Sequence, residues 1–191
     1  GVKTAATTRI FTKGIAVNTD RNLDVMIEGE GFFQVMKEDG TLAYTRDGCF
    51  QIDALGQLCT NDGLLVQPAM TFPADTKEIT ISQDGNVTVL TGNNTEANQI
   101  GQFQLVRFQN PAGLLSIGHN LYQETSASGN AVQGTPGQNG MGLLEQGFLE
   151  GSNVQIVDEL IGLIKAERAF ESNSKIIKSS SDILQMTNNL T

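Results

Sequence analysis

The chain has 191 residues, of which 17% are charged, with a net charge of -9 and 21 glycines. An acidic balance argues against nucleic acid, which calls for a basic patch, and the Gly-rich, weakly charged profile suits many short strands and tight turns better than a helical enzyme. No apolar run nears the roughly 18 residues needed to span a bilayer, and the amino terminus lacks a basic-then-apolar signal pattern, so membrane insertion is not expected.

The chain opens at Gly1 in mid-pattern without Met, which reads as a piece whose beginning lies elsewhere. Residues 1–20 mix β-branched residues with Thr and Lys and show no amphipathic period, predicting an extended connector with room for one short strand. Residues 21–140 form the expected β-rich outer domain. Val25 and Ile27, Phe33 and Val35, Leu42 and Tyr44, then Phe50 and Ile52 follow a period of two, punctuated by Asp39-Gly40, Asp47-Gly48 and Asp62-Gly63. This pattern predicts an antiparallel meander in which each Asp-Gly supplies the positive φ of a hairpin turn. A further hairpin is expected at 79–90 around Asp84-Gly85, and another strand at 103–108. Residues 119–142 are rich in Gly, Ser and Asn and read as a long surface excursion. A last strand at 143–149 lies in the returning connector, 141–152, so the two connectors are expected to meet as a neck.

Residues 153–191 predict one long helix. Ser152 and Asn153 offer an N-cap, and Asp158 and Glu159 suit the positive end of the dipole. Ile156, Leu163, Phe170, Ile177 and Leu184 stand seven residues apart, and Ala169, Ile176, Ile183 and Leu190 run one position ahead of them. Midway positions start with Leu160 but continue as Glu167, Ser174, Ser181 and Asn188, so the stripe is narrow. A sustained period of seven favours a left-handed supercoil with another helix, and nothing before Gly151 reads as that helix. The fold class is therefore mainly β: an antiparallel outer domain with extended connectors, followed by a C-terminal helix of coiled-coil type.

Catalytic chemistry finds little support. His119 sits in a loop without a triad partner in sequence and reads as a surface or capping residue. Gly29-Glu30-Gly31 is followed by a strand and not by a helix, so no phosphate site is expected there. Asn18, Asp20, Asn22 and Asp24 alternate like a calcium loop, but Leu23 stands at the sixth position and Gly29 at the twelfth, which leaves a solvated turn as the better account. Glu167, Glu171 and Lys175 read as ordinary surface pairing. Cys49 and Cys59 fall on adjacent strands and leave two readings open, a disulfide or two free thiols. No cofactor or metal is expected.

Two stretches carry a resemblance. The first is DVMIEGEGFFQVMKEDGTLAYTRDGCFQIDALGQL at 24–58, with Gly31, Phe32 and Phe33, then Tyr44, Thr45, Arg46 and Gly48. The second is GFLEGSNVQIVDELIGLIKAERAFESNSKII at 147–177, with Leu149, Glu150, Ser152, Asn153 and Val154, then Arg168, Phe170 and Glu171. Together they resemble the axial rod and hook proteins of the bacterial flagellum, and TPGQNGMGLLEQG at 135–147 with NLYQET at 120–125 favours its distal rod members. The resemblance implies a subunit exported through the flagellar channel that assembles helically into a hollow periplasmic rod, without catalysis. Its implied partners are further copies of itself, the proximal rod proteins, the hook protein and the surrounding outer rings. The family's amino-terminal helix, with its Asn-Asn-Leu-Ala-Asn type motif, is not in this sequence, and it is the candidate partner for the seam formed by Ile156, Leu163, Phe170, Ile177, Leu184, Ile176 and Ile183. The rival reading is a carbohydrate- or surface-binding β module on a helical stalk. That reading needs clustered exposed aromatics, which a chain with 6% aromatics and no Trp supplies poorly.

Overall fold

The computed structural model describes Lys3 and residues 8–92 and 96–188, with backbone only for Leu184, Thr187 and Asn188. The chain falls into two compact units, Gly1–Ser152 and Asn153–Thr191. In the first unit the strands are β1 (Ala16–Asn18), β2 (Val25–Glu28), β3 (Phe32–Met36), β4 (Leu42–Thr45), β5 (Phe50–Ile52), β6 (Leu58–Thr60), β7 (Leu65–Gln67) and β8 (Thr76–Ile81). They are followed by β9 (Asn86–Thr91), β10 (Asn98–Gln102), β11 (Leu105–Arg107), β12 (Leu115–Gly118), β13 (Leu121–Gln123), β14 (Val132–Gly134), β15 (Leu143–Gln146) and β16 (Phe148–Glu150). The described pairings are all antiparallel.

The largest sheet runs β12-β13-β4-β3-β7-β6-β5, with β11 and β14 attached through β3. Strand β3 is its centre because both of its faces are covered. Phe33 and Val35 enter the main core with Val25, Ile27, Phe50, Val66, Phe103 and Leu105, while Phe32 joins Tyr44, Val106, Phe108 and Leu114 in a second cluster. Phe33 meets Phe50 edge-on at 5.0 Å, and Tyr44 meets Phe108 in the same way at 4.8 Å. Edge-to-face pairs of this kind add to the burial of apolar area because ring edges and faces carry opposite partial charge. Gln34, the one polar side chain of β3, is buried and accepts a hydrogen bond from the Gln133 amide at 2.5 Å.

The predicted meander is corrected in its connections. β2 leaves the sheet to pair with β15, and β7 returns to the free side of β3, so the order is not sequential. Gly40 and Gly63 have the positive φ expected of their turns, but Gly48 does not. A Cβ there would stand 1.7 Å from the carbonyl oxygen of Val25, so Gly48 is required by close backbone approach. The predicted surface excursion at 119–142 instead contributes β13 and β14 to the sheet and buries Ser128 and Met141. The single last strand expected at 143–149 is two strands, broken at Gly147 with φ of 80° and paired to different partners, β2 and β1.

The second unit is the helix α1 (Ile156–Asn188). It begins later than the expected cap. The Gln155 carbonyl accepts from the Glu159 N–H at 3.1 Å, which puts the cap position at Gln155 and leaves Ser152 and Asn153 ahead of it. Asp158 and Glu159 do occupy the first turn. Leu190 of the second apolar series lies outside the described residues.

Candidate functional site

The strands of the two connectors pair with each other. β1 lies against β16 with Ala16 opposite Glu150, Val17 opposite Leu149 and Asn18 opposite Phe148. Gly151 N–H donates to the Ile15 carbonyl and Thr19 N–H to the Gly147 carbonyl, each at 2.8 Å. Gly14 lies so close to the returning chain that a Cβ would sit 1.9 Å from the Gly151 oxygen.

A charged clamp ties this neck to the sheet. Arg46, one residue past β4, donates from Nε to Glu150 Oε2 at 2.7 Å, and its Nη1 donates to the carbonyls of Gly31 at 2.9 Å and Gly29 at 3.1 Å. Its Nη2 donates to the Ile27 carbonyl at 3.3 Å, and the guanidinium lies 6.0 Å from the centre of the Phe32 ring. The other carboxylate oxygen of Glu150 accepts from the Gly14 N–H at 2.9 Å. The Arg46 and Glu150 side chains are 17% and 12% exposed, and a fork of five donors is the side chain suited to satisfy several carbonyls and a carboxylate at once. The Arg46–Glu150 pair therefore holds the entering connector, the returning connector and the turn at Gly29–Gly31 in a fixed relation.

The predicted signature residues separate into two sets. Gly31, Phe32, Arg46 and Glu150 come together at the clamp, with Leu149 on the paired strand beside it. Phe33 is in the core; Tyr44 packs edge-on against Phe108, and burial pushes its phenol up. The Thr45 hydroxyl donates to the Asn120 carbonyl at 2.9 Å and accepts from the Asp47 N–H at 3.0 Å, which fixes the chain as it leaves β4. Ser152 ends the first unit and Asn153 and Val154 open the second. Arg168, Phe170 and Glu171 stand exposed on α1. The clamp pairing is not legible in the sequence, because Arg46 and Glu150 lie 104 residues apart and no local pattern links them.

On α1 the members of the predicted seam whose side chains are described, Ile156, Leu163, Phe170, Ile176, Ile177 and Ile183, are all exposed, Phe170 at 75%. Further exposed apolar residues of the helix lie outside that seam, namely Val157, Leu160, Ile161, Ile164 and Met186, the first four at i, i+3, i+4 and i+7, the ordinary spacing of a helix face. Among the described residues Glu167, Glu171 and Lys175 form no ion pair. The expected pairing is not made, and at full exposure it would contribute only a few tenths of a kcal/mol.

The other candidate residues are accounted for locally. His119 has φ of 50° and faces Asp62 at 3.5 Å with most of its side chain in water. In the Asn18 to Asp24 stretch the acids diverge: the Asp20 N–H is capped by Asn18 Oδ1, while Asp24 is fully buried beside Arg21 at 3.4 Å and is not solvated as expected. Cys49 and Cys59 are free thiols. Register explains it, since Cys59 faces Gln51 while Cys49 lies in a bridge to Asp24. Burial pushes the Cys59 thiol up, and Asp53 adds to the shift.

Comparison with known proteins agrees with this division. Residues 26–89 match the family described as flagellar hook protein FlgE/F/G D1 domain, and residues 145–190 match the flagellar basal body rod FlgEFG protein C-terminal family. The chain is 46% identical over 190 residues to the flagellar basal-body rod protein FlgG of Buchnera aphidicola, covering 100% of the chain and 73% of that protein. It is 47% identical over 192 residues to the same-named protein of Borreliella burgdorferi, covering 100% of the chain and 72% of the relative. A shorter match, 40% over 118 residues, is to the flagellar hook protein FlgE of Salmonella typhimurium and covers 62% of the chain and 29% of that protein. With relatives this similar along its whole length, the chain belongs to the flagellar rod and hook family, among its structural basal-body rod proteins.

Proposed function

We propose that this chain is a subunit of the distal rod, which assembles helically with further copies of itself into a hollow periplasmic shaft that carries torque from motor to hook and lets exported subunits pass through its bore. The carrying observation is the run of exposed apolar side chains along α1, from Ile156 to Ile183. A helix of this length draws most of its stability from packing an apolar face, and a family built for self-assembly supplies the packing from neighbouring subunits. Ile156, Leu163, Phe170, Ile176, Ile177, Ile183 and Leu184 would be buried between subunits in a coiled-coil inner layer, with the polar flank toward the bore, where passing chains must not adhere. Residues 21–140 would form the outer layer facing the rings, with 1–20 and 141–152 as the connectors and 153–191 as the inner helix. Proximal rod proteins and the hook would meet the two ends of the shaft.

A shaft needs many repeated weak contacts and no catalytic centre, since a heterologous interface that does not close into a ring propagates into a filament. The clamp fits this work. It passes a load on either connector into the sheet through charge-assisted hydrogen bonds shielded from water.

Phe170→Ala tests the reading. With the ring three-quarters exposed, the change should alter the melting of the isolated chain by less than about 0.5 kcal/mol. In the flagellated cell it should abolish swimming and rod formation, since truncating a buried interface aromatic costs about 2 kcal/mol or more and the loss recurs at every subunit. Normal swimming would refute the role of the helix in assembly.

A further inference from the structure

The loop between β14 and β15 folds into two successive tight turns. In the first, the Gln138 N–H donates to the Thr135 carbonyl at 3.1 Å, with Gly137 at a φ of 77°. In the second, the Met141 N–H donates to the Gln138 carbonyl at 2.9 Å, and the two central residues, Asn139 and Gly140, are both left-handed, with φ of 51° and 78°. This is the primed turn for which Asn-Gly is a preferred pair, and the sequence holds one Asn-Gly pair. Both residues are exposed. Among the described residues the Gly140 N–H and the Asn139 side-chain amide make no hydrogen bond. Just beyond the turn Met141 enters the main core, and the Gly142 N–H donates to the Glu30 carbonyl at 2.7 Å, between the Gly29 and Gly31 carbonyls that Arg46 holds. Arg107 lies against the turn itself: a Cβ at Gly140 would stand 2.8 Å from its Nη1, which faces Glu30 Oε2 at 3.7 Å.

We propose that Asn139-Gly140 is a site of spontaneous deamidation, and that its isoaspartyl product loosens the seat of Gly142 on the Gly29–Gly31 turn. The Gly140 nitrogen, on losing its proton, attacks Cγ of Asn139. A bond from that nitrogen to Cγ forms, the bond from Cγ to the side-chain nitrogen breaks, and the leaving nitrogen takes protons from water and departs as ammonia. Water then opens the cyclic imide. Breaking the new bond to Cγ restores the main chain with an aspartyl side chain, whereas breaking the bond to the main-chain carbonyl carbon leaves the chain running through Cβ as isoaspartyl. The net change consumes one water, releases one ammonia and transfers no electrons. Three features direct the reaction to this pair. Gly140 has no Cβ to screen its nitrogen, while each of the other asparagines is followed by a residue with a side chain, or by Pro111, which has no N–H. The Gly140 N–H has no hydrogen bond to give up before it loses its proton. The Arg107 guanidinium beside Gly140 favours the anion formed there, because an adjacent opposite charge stabilises the charged form of a group. In the isoaspartyl chain an extra backbone carbon separates Gln138 from Met141. A turn closed by a single bond at each level, Met141 to Gln138 and Gly137 to Gly142, has no slack to absorb it.

Peptide mapping of the whole folded chain, kept at mildly alkaline pH in isotopically labelled water, tests the site. Position 139 should take up labelled oxygen before any other asparagine, and no more slowly than in a synthetic peptide spanning residues 134–144. Asn139→Gln should remove the product, since ring closure through the longer side chain is far slower, and Arg107→Gln should slow conversion in the folded chain. An intact Asn139 in folded chain at a time when the peptide has converted overturns the proposal, because the turn then protects the residue, and so does earlier conversion of another asparagine. Conversion at an unchanged rate in Arg107→Gln overturns the part given to the guanidinium. The isoaspartyl form, separated by ion exchange and identified by enzymatic methylation of its carboxylate, is then compared with the Asn139→Asp variant, which carries the same charge without the extra backbone carbon. Amide exchange at Gly142 should be faster in the isoaspartyl form, and equal exchange in the two overturns the link to the Gly29–Gly31 turn.

Discussion

Replacing Arg46 by Met isolates the clamp. The substitution keeps much of the aliphatic stem over Phe32 and removes the guanidinium, which leaves the Glu150 carboxylate, 12% exposed, with the Gly14 N–H as its remaining neutral donor. Removing one member of a buried ion pair costs about 3 to 5 kcal/mol. The partial exposure of this pair places the loss near the lower end, about 3 kcal/mol, and the buried Gly31 carbonyl adds about 1 kcal/mol for its lost donor. Against a total stability of about 5 to 15 kcal/mol, a loss of about 3 to 4 kcal/mol should lower the melting temperature by roughly 10 °C, at about 2 to 4 °C per kcal/mol for a chain of this size. Thermal denaturation followed by circular dichroism measures it. A double-mutant cycle with Glu150→Leu separates the pair from the packing: the double variant should be more stable than the sum of the singles predicts, by about 1.5 kcal/mol or more. Hydrogen exchange should quicken at the amides of Gly14 and Gly151 in the single variant, since both bonds belong to the neck. A shift under about 2 °C, or a cycle that closes additively, would show that the clamp is a solvated surface pair without structural weight.

Further outcomes follow from the same geometry. Cutting the chain after Ser152 should leave a cooperative unfolding transition, because the two hydrophobic clusters lie wholly within the first unit; a truncated chain disordered by circular dichroism would contradict this. The hydroxyl and N–H of Thr41 hold the Asp39 carboxyl below its ordinary 3.8, and the Ser82 hydroxyl does the same for Asp84. These groups contribute stability above that pH and lose it as the pH falls through their folded values. Thr41→Ala should therefore raise the Asp39 value in a carboxylate NMR titration, and an unchanged titration would refute the hydroxyl's part. In alkylation by iodoacetamide Cys49 should react before Cys59, whose thiol is buried and pushed up, and mass mapping of partially labelled chain decides the order.

What the sequence determined by itself is local. The helix was legible because its apolar spacing and the absence of Pro act within a few turns. The turns at Gly40, Gly63 and Gly85 were legible because a positive φ is a property of one residue. Strand partners were not. Nothing near Val25 announces that β2 will pair with β15, nothing near Gln34 announces Gln133, and a Gly-, Ser- and Asn-rich stretch gave no sign that Leu121–Gln123 and Val132–Gly134 would enter the sheet. Gly48 looked like a turn glycine and is needed because another strand's carbonyl passes against it. Arg46 and Glu150 could each be recognised, but their meeting depends on the β1–β16 pair and β4, which belong to separate sheets, being brought to one place by the fold of the first unit. The physical reason is common to all of these: helix and turn formation are decided by neighbours in sequence, while strand register and buried ion pairs are decided by groups far along the chain that only the closed core brings within hydrogen-bonding reach.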